Sequence, residues 1–143
     1  ESILSAVKSY TRGRVICVFG CGGNRDKNKR PLMGEISGRI SDYTIITSDN
    51  PRNEEPKEII NEIEEGIKKT KACYKVIVDR KEAIKNAIEM ANKLDIVVIA
   101  GKGHEMYQEI NGNKLEFNER KIVIEITDEL KKKQEEKYTN KKK

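Results

Sequence analysis

The sequence predicts an α/β domain with a mostly parallel sheet, helices on both faces and an antiparallel hairpin at one edge. Three observations carry this expectation. Short apolar runs alternate four times with amphipathic stretches, the pattern of successive βαβ units. Late in the chain, Asn111-Gly112-Asn113 stands between two strand-like runs, a hairpin signal. The length of 143 residues suits a single hydrophobic core and is too short for two full domains.

The elements follow in order. Val15 to Phe19 is wholly apolar and ends at Gly20, as expected of a strand buried on both faces. Pro31 is expected to open a helix, because its missing N–H is harmless in a first turn; Leu32, Met33, Ile36 and Ile40 follow on one face. A second strand is expected over 43–47. Pro56 then introduces an amphipathic helix carrying Ile59, Ile60, Ile63 and Ile67. The third strand is expected over 74–78. Asp79 and Glu82 have capping-box spacing ahead of Ala83, Ala87, Ile88 and Ala91. The fourth strand is expected over 95–100. Hairpin strands over 106–110 and 114–117 should add antiparallel character at the sheet edge. A last helix places Ile122, Val123, Ile126 and Leu130 on its apolar face. The arrangement is Rossmann-like, in one domain over 1–130. The Lys-rich tail 131–143 reads as helix end or disordered chain.

Composition narrows the function. The formal charge is +5, but residues 131–143 hold seven Lys and two Glu, so the excess lies entirely in the tail. A basic run of this kind reads as solvated surface rather than a nucleic-acid groove. No apolar run approaches the roughly 18–20 residues that cross a bilayer, and the first ten residues lack the order of a signal peptide. A cytoplasmic location without membrane or nucleic-acid partners is expected. Cys17, Cys21 and Cys73 are odd in number and complete neither a disulfide framework nor a zinc site; no metal ligands are expected.

Ligands of open α/β sheets bind beyond the carboxyl ends of the strands. Three polar segments belong there: Gly20-Cys21-Gly22-Gly23-Asn24-Arg25-Asp26-Lys27, Ser48-Asp49-Asn50-Pro51-Arg52 and Gly101-Lys102-Gly103-His104-Glu105. Arg pairs bidentately with carboxylates, while Asp, Glu, an Asn oxygen or a backbone carbonyl accepts from an ammonium. A site offering both suits an amino acid. Each segment also has a plainer reading as a tight turn or a loop-fixing polar residue. The glycines match neither a dinucleotide fingerprint nor a P-loop, since Arg25 stands where the last Gly of the former belongs and Gly103, ahead of His104, follows Lys102 where the latter needs Ser or Thr.

Gly20-Cys21-Gly22-Gly23-Asn24-Arg25-Asp26 with Lys29-Arg30-Pro31-Leu32-Met33 resembles the start of the C-terminal domain of the UDP-N-acetylmuramoyl-tripeptide synthetases, which are Mur ligases. Asp49-Asn50-Pro51-Arg52 resembles the motif of their diaminopimelate-adding branch. Gly101 to Glu105 matches a third family motif and Phe117-Asn118-Glu119-Arg120 a weaker fourth. The resemblance runs from the first residue to about Ile126, outside the tail. It implies an ATP-dependent ligase that uses Mg2+ and joins meso-diaminopimelate to UDP-N-acetylmuramoyl-L-alanyl-D-glutamate in peptidoglycan biosynthesis. It implies that Arg25, Asp49, Asn50, Pro51, Arg52, Gly101 and Glu105 form the diaminopimelate site. Arg25 and Arg52 would take the distal carboxylate, and Asn50, Glu105 and the Gly101 carbonyl the distal ammonium. Asp49 would orient the loop or assist Arg52. Asp26, Lys27, Lys29 and Arg30 would face the nucleotide. The family's UDP-binding and ATPase domains, with their phosphate-binding loop and magnesium ligands, have no counterpart in these residues. The chain alone is therefore expected to be inactive and to hold no catalytic residue. Two other readings are a free-standing α/β module for an amino acid and a nucleic-acid-associated domain using the Lys tail.

Overall fold

The computed structural model describes residues 2–102 and 105–141. Its elements are α1 (Ser2–Tyr10), β1 (Val15–Phe19), α2 (Lys29–Ile40), β2 (Tyr43–Ile46), α3 (Pro56–Ile67), β3 (Tyr74–Val76), α4 (Arg80–Met90), β4 (Ile96–Ile99), β5 (Tyr107–Ile110), β6 (Asn113–Glu116) and α5 (Glu119–Lys141). The main sheet has the order β3-β2-β1-β4 and every pairing in it is parallel. The mostly parallel α/β class expected from the sequence is the class observed.

The sheet is covered on both sides, and β1 shows why. Its five residues are all buried, and their side chains alternate between the faces. Val15, Cys17 and Phe19 pack with Leu4 and Val7 of α1, Ile59, Ile60, Ile63 and Ile67 of α3, and Cys21 beside α2. Ile16 and Val18 pack with Ala83, Ile84 and Ala87 of α4 and Ile126 of α5. Each such Val or Ile contributes roughly 1.5–3 kcal/mol of hydrophobic stabilisation. The two layers leave the carboxyl ends of β1, β2 and β4 together at one edge. At the opposite end Asp95 fastens the start of β4 to β1. Its carboxylate accepts the Asn92 and Arg14 backbone N–H groups at 2.8 and 2.7 Å, and these bonds hold its pKa at about 2.

Several boundaries differ from expectation. α2 begins at Lys29, so Pro31 is its third residue; this is tolerated because the first turn leaves that N–H unpaired as well. Strands β2, β3 and β4 are each shorter than expected. Asp79 caps α4 by accepting from the Lys81 N–H at 3.0 Å. Residues 131–141 continue α5 as helix.

The hairpin forms as expected but not at the sheet edge. β5 and β6 pair antiparallel, from Tyr107 opposite Glu116 to Ile110 opposite Asn113. Asn111 and Gly112 have φ of 49° and 80°, the positive values of a two-residue type I′ turn, which Asn and Gly tolerate best. The pair is a separate two-stranded sheet. It meets the main sheet through the loop after β2: Arg52 N–H donates to the Glu109 carbonyl at 2.9 Å and Asn111 N–H to the Arg52 carbonyl at 2.7 Å. The hairpin thus lies over the carboxyl ends rather than extending the sheet sideways.

Candidate functional site

The loops after β1 and β2 interlock through their backbones. Gly23 N–H donates to the Asn50 carbonyl at 2.7 Å. A Cβ on Gly23 would lie 1.8 Å from the Pro51 oxygen, so only glycine fits there. Arg52 returns the contact, donating from Nη1 to the Gly23 carbonyl at 2.8 Å, with Nε 3.4 Å from Glu109 Oε2. Arg52 has φ 51°, a left-handed conformation that costs a non-glycine residue roughly 1–2 kcal/mol. The two backbone bonds to the hairpin hold it there. Its Nη2 has no hydrogen-bond partner among the described residues. Strained backbone locked by its surroundings is common at ligand clamps.

Asn50 is 2% exposed and joins all three parts of the site. Its Oδ1 accepts from Lys102 Nζ at 2.7 Å and from the Glu109 N–H at 2.9 Å. Its Nδ2 donates to Glu105 Oε2 at 2.9 Å. Both lone pairs of the amide oxygen are therefore occupied. The expectation that this oxygen receives a ligand's ammonium meets a filled acceptor. Asp49 lies with Oδ1 3.1 Å from Lys102 Nζ. That buried oxygen has no aligned hydrogen bond, so the contact is chiefly Coulombic. Pro51 is buried, its carbonyl packed against Gly23. Gly101, with φ 118°, is exposed and sits against the Asp49 carboxylate. Arg25 is exposed, and its side chain makes no hydrogen bond or ion pair with a described residue. Gly103 and His104 of the third segment lie outside the described residues.

The four residues expected to face a nucleotide divide. Lys27 is exposed on the β1–α2 connection, as is Asp26, whose Oδ1 accepts the Asn28 N–H at 3.0 Å, and Lys29 is exposed at the first position of α2. Lys27 lies 3.7 Å from Glu54. Arg30 corrects the expectation, because it is 1% exposed and faces inward. Its guanidinium donates to Glu54 at 2.8 and 3.1 Å, to Glu62 at 2.8 Å and to the Gly22 carbonyl at 3.0 Å. Once buried, a cation is held by whatever carboxylates pair with it, here those on α3 and its approach. Arg30, together with the Asn24 N–H, holds the Glu54 carboxyl at about 2. Glu54 thereby links the turn at Asn24 to α2 and braces the glycine-rich loop.

Sequence reasoning missed three contributors. Lys102 stood in a motif, but nothing local marked its burial. Arg80 is buried under the site, donating to the Ser48 and Ala100 carbonyls at 3.2 and 3.0 Å and pairing with Glu119 at 2.8 Å. It therefore sets the spacing between the loops after β2 and β4. Gln108 of the hairpin donates to the Asp49 carbonyl at 2.8 Å. The fourth motif also finds a physical role. Asn118 accepts the Lys121 N–H at 3.2 Å, Glu119 pairs with Arg80, and both line an open cleft of ≈ 570 Å³ beside Glu105.

Two arginines, one with a free donor nitrogen among the described residues and one exposed, thus lie on the same edge as Glu105 and Glu109. The arrangement suits a ligand carrying both carboxylate and ammonium groups. The described residues gather no set of three or more His, Cys, Asp or Glu side chains able to hold a metal ion. All three cysteines are free thiols, and Cys17 and Cys21 are buried. No helix among the described residues is long and apolar enough to cross a membrane.

Comparison with known proteins identifies the relatives of this chain. The family model described as "Mur ligase, glutamate ligase domain" matches residues 1–103. The UDP-N-acetylmuramoyl-L-alanyl-D-glutamate–2,6-diaminopimelate ligase of Caldanaerobacter subterraneus subsp. tengcongensis is 57% identical over 132 residues, 92% of this chain and 27% of its own length. The corresponding ligase of Clostridioides difficile is 51% identical over 130 residues, 91% of this chain and 27% of its own. A solved structure of a UDP-N-acetylmuramoyl-L-alanyl-D-glutamate–2,6-diaminopimelate ligase matches with a TM-score of 0.85 at 43% identity, covering 90% of this chain and 26% of that one. The chain spans about a quarter of the length of these relatives. With the family model covering well over half of its residues, the chain belongs to the Mur ligase family.

Proposed function

We propose that this chain is the C-terminal, amino-acid-holding domain of a cytoplasmic ligase that joins meso-diaminopimelate to UDP-N-acetylmuramoyl-L-alanyl-D-glutamate with hydrolysis of ATP. The observation that carries the reading is Arg52, held in a left-handed conformation with donors to spare, on one edge with Arg25, Glu105 and Glu109. Arg52 and Arg25 take the distal carboxylate of diaminopimelate. Glu105 and the Gly101 carbonyl take its distal ammonium. Asn50, with its oxygen filled, holds Glu105 in place, and Asp49 and Pro51 set the direction of Arg52. The domain extends over 1–130, since Leu130 is the last residue of α5 in the core cluster and 131–140 are exposed.

ATP supplies the activation of the acceptor carboxylate, and Mg2+ the screening of phosphate charge. Among the described residues no cluster of three or more His, Cys, Asp or Glu side chains gathers to hold the ion. Asp26, Lys27 and Lys29 remain the groups that face the nucleotide from this side, and Arg30 is removed from that set. The work of this domain is then to orient the amino acid, which lowers the entropic part of the barrier to amide formation. The test is amide formation by the full ligase with diaminopimelate or lysine as acceptor amine. Equal use of the two would refute the reading.

A further inference from the structure

Lys102 takes no part in the binding scheme above, yet it is 2% exposed in the middle of the site. Its ammonium donates to Asn50 Oδ1 at 2.7 Å and to the Tyr107 carbonyl at 2.9 Å, and lies 3.1 Å from Asp49 Oδ1. The Phe117 ring stands 5.8 Å away. Two hydrogen bonds and an ion pair hold the ammonium inside the protein, buried and turned toward the protein's own groups. An uncompensated charge buried this deeply is costly, and Asp49 is its compensation.

Among the described residues, the charged groups around Asn50 are Arg25, Arg52 and Lys102 against Asp49, Glu105 and Glu109. They balance. The ion-paired sets beneath them, Arg30 and Lys27 with Glu54 and Glu62, and Arg80 with Glu119, each balance as well. A ligand with two ammonium and two carboxylate groups is neutral, whereas lysine carries a net positive charge. If the Lys102 charge is deleted, the acids exceed the bases by one and the site favours the more cationic ligand.

We infer that Lys102 is a specificity-determining positioning residue, whose buried charge offsets Asp49 and locks Asn50 so that the site selects a neutral diamino diacid over lysine. This rests on the diaminopimelate reading above. The test uses the full ligase with Lys102→Met and with Lys102→Met/Asp49→Asn, which restores neutrality. The Michaelis constant for each substrate and the inhibition constant of lysine against diaminopimelate are measured. Lys102→Met should raise the diaminopimelate constant and tighten lysine inhibition, narrowing the discrimination roughly tenfold or more, with the ATP constant within about twofold. The double variant should regain most of the discrimination. A purely structural role would weaken both amino acids alike, so unchanged discrimination in Lys102→Met overturns the inference, as does a double variant that recovers none. Where Lys102→Met fails to fold, Lys102→Gln carries the same test, because it keeps a donor for Asn50 and deletes the charge. If the unaltered ligase does not use diaminopimelate, the parent reading fails instead.

Discussion

Replacing Arg52 by Ala in the full ligase removes the cation proposed to meet the distal carboxylate of diaminopimelate. The backbone should stay in place, because the Arg52 N–H and carbonyl are both bonded to the hairpin and Ala in a left-handed conformation is strained about as much as Arg. The lost side-chain contacts are the bond to the Gly23 carbonyl and the ion pair with Glu109. Truncating one partner of a buried charge pair costs about 2–5 kcal/mol. The Arg52 side chain is 18% exposed and that of Glu109 27%, so water screens part of the effect and the lower end applies. About 2–3 kcal/mol corresponds to roughly 30- to 150-fold in affinity. Steady-state kinetics with each substrate varied in turn should show the diaminopimelate constant rising by about that factor, with the ATP and UDP-dipeptide constants nearly unchanged. Lysine should gain little, since deleting a cation removes a repulsion without adding a contact. A rise below about threefold, or an equal rise for ATP, would refute the role given to Arg52.

Further outcomes follow from the same geometry. The 143-residue chain incubated with ATP, Mg2+, UDP-dipeptide and diaminopimelate should release no phosphate above a buffer control; turnover would reveal an unrecognised nucleotide site. Glu54→Gln should cost about 2 kcal/mol in urea unfolding, below the 3–5 expected of a broken buried pair because Glu62 still holds Arg30. Because the Glu54 carboxyl is depressed to about 2 from an ordinary 4.5, its contribution is present above pH 4.5 and fades as pH falls toward 2. Glu54→Gln should therefore lose less stability than the unaltered chain across that window, and parallel pH profiles would contradict the assignment. Ending the chain after Leu130 should shift the thermal midpoint by no more than surface changes do, about 0.5 kcal/mol in stability, because residues 131–140 are exposed; a large loss would place the tail inside the domain.

The fold was legible because burial leaves a periodic trace. β1 reads as five apolar residues in a row since both of its faces are covered. α3 reads as Ile59, Ile60, Ile63 and Ile67 since one of its faces is covered. The Asn111-Gly112 turn was equally plain, as positive φ selects those residue types. The positions of Asp49, Arg52 and Glu105 at one edge followed from parallel topology alone, which sends the end of each strand to the same side.

The partners of the charged side chains were not legible. Arg30 looked like one more exposed cation of the glycine-rich loop, and only the approach of α3 and Glu54 turned it inward. Lys102 lies between two glycines, with nothing nearby to announce that it is buried. It meets Asn50 across 52 positions of sequence, and Asn50 meets Glu105 across 55. The hairpin's local pairing was encoded in its turn, but its seat over the carboxyl ends depends on bonds from Arg52. Sequence alone determined the sheet, its helices and the residues gathered at one edge, because apolar burial and turn chemistry act over a few residues. Tertiary structure decided which of the gathered groups remain free for a ligand and which are spent on one another. That division depends on distances between side chains far apart in the chain, and a buried charge must find its partner wherever the fold delivers one.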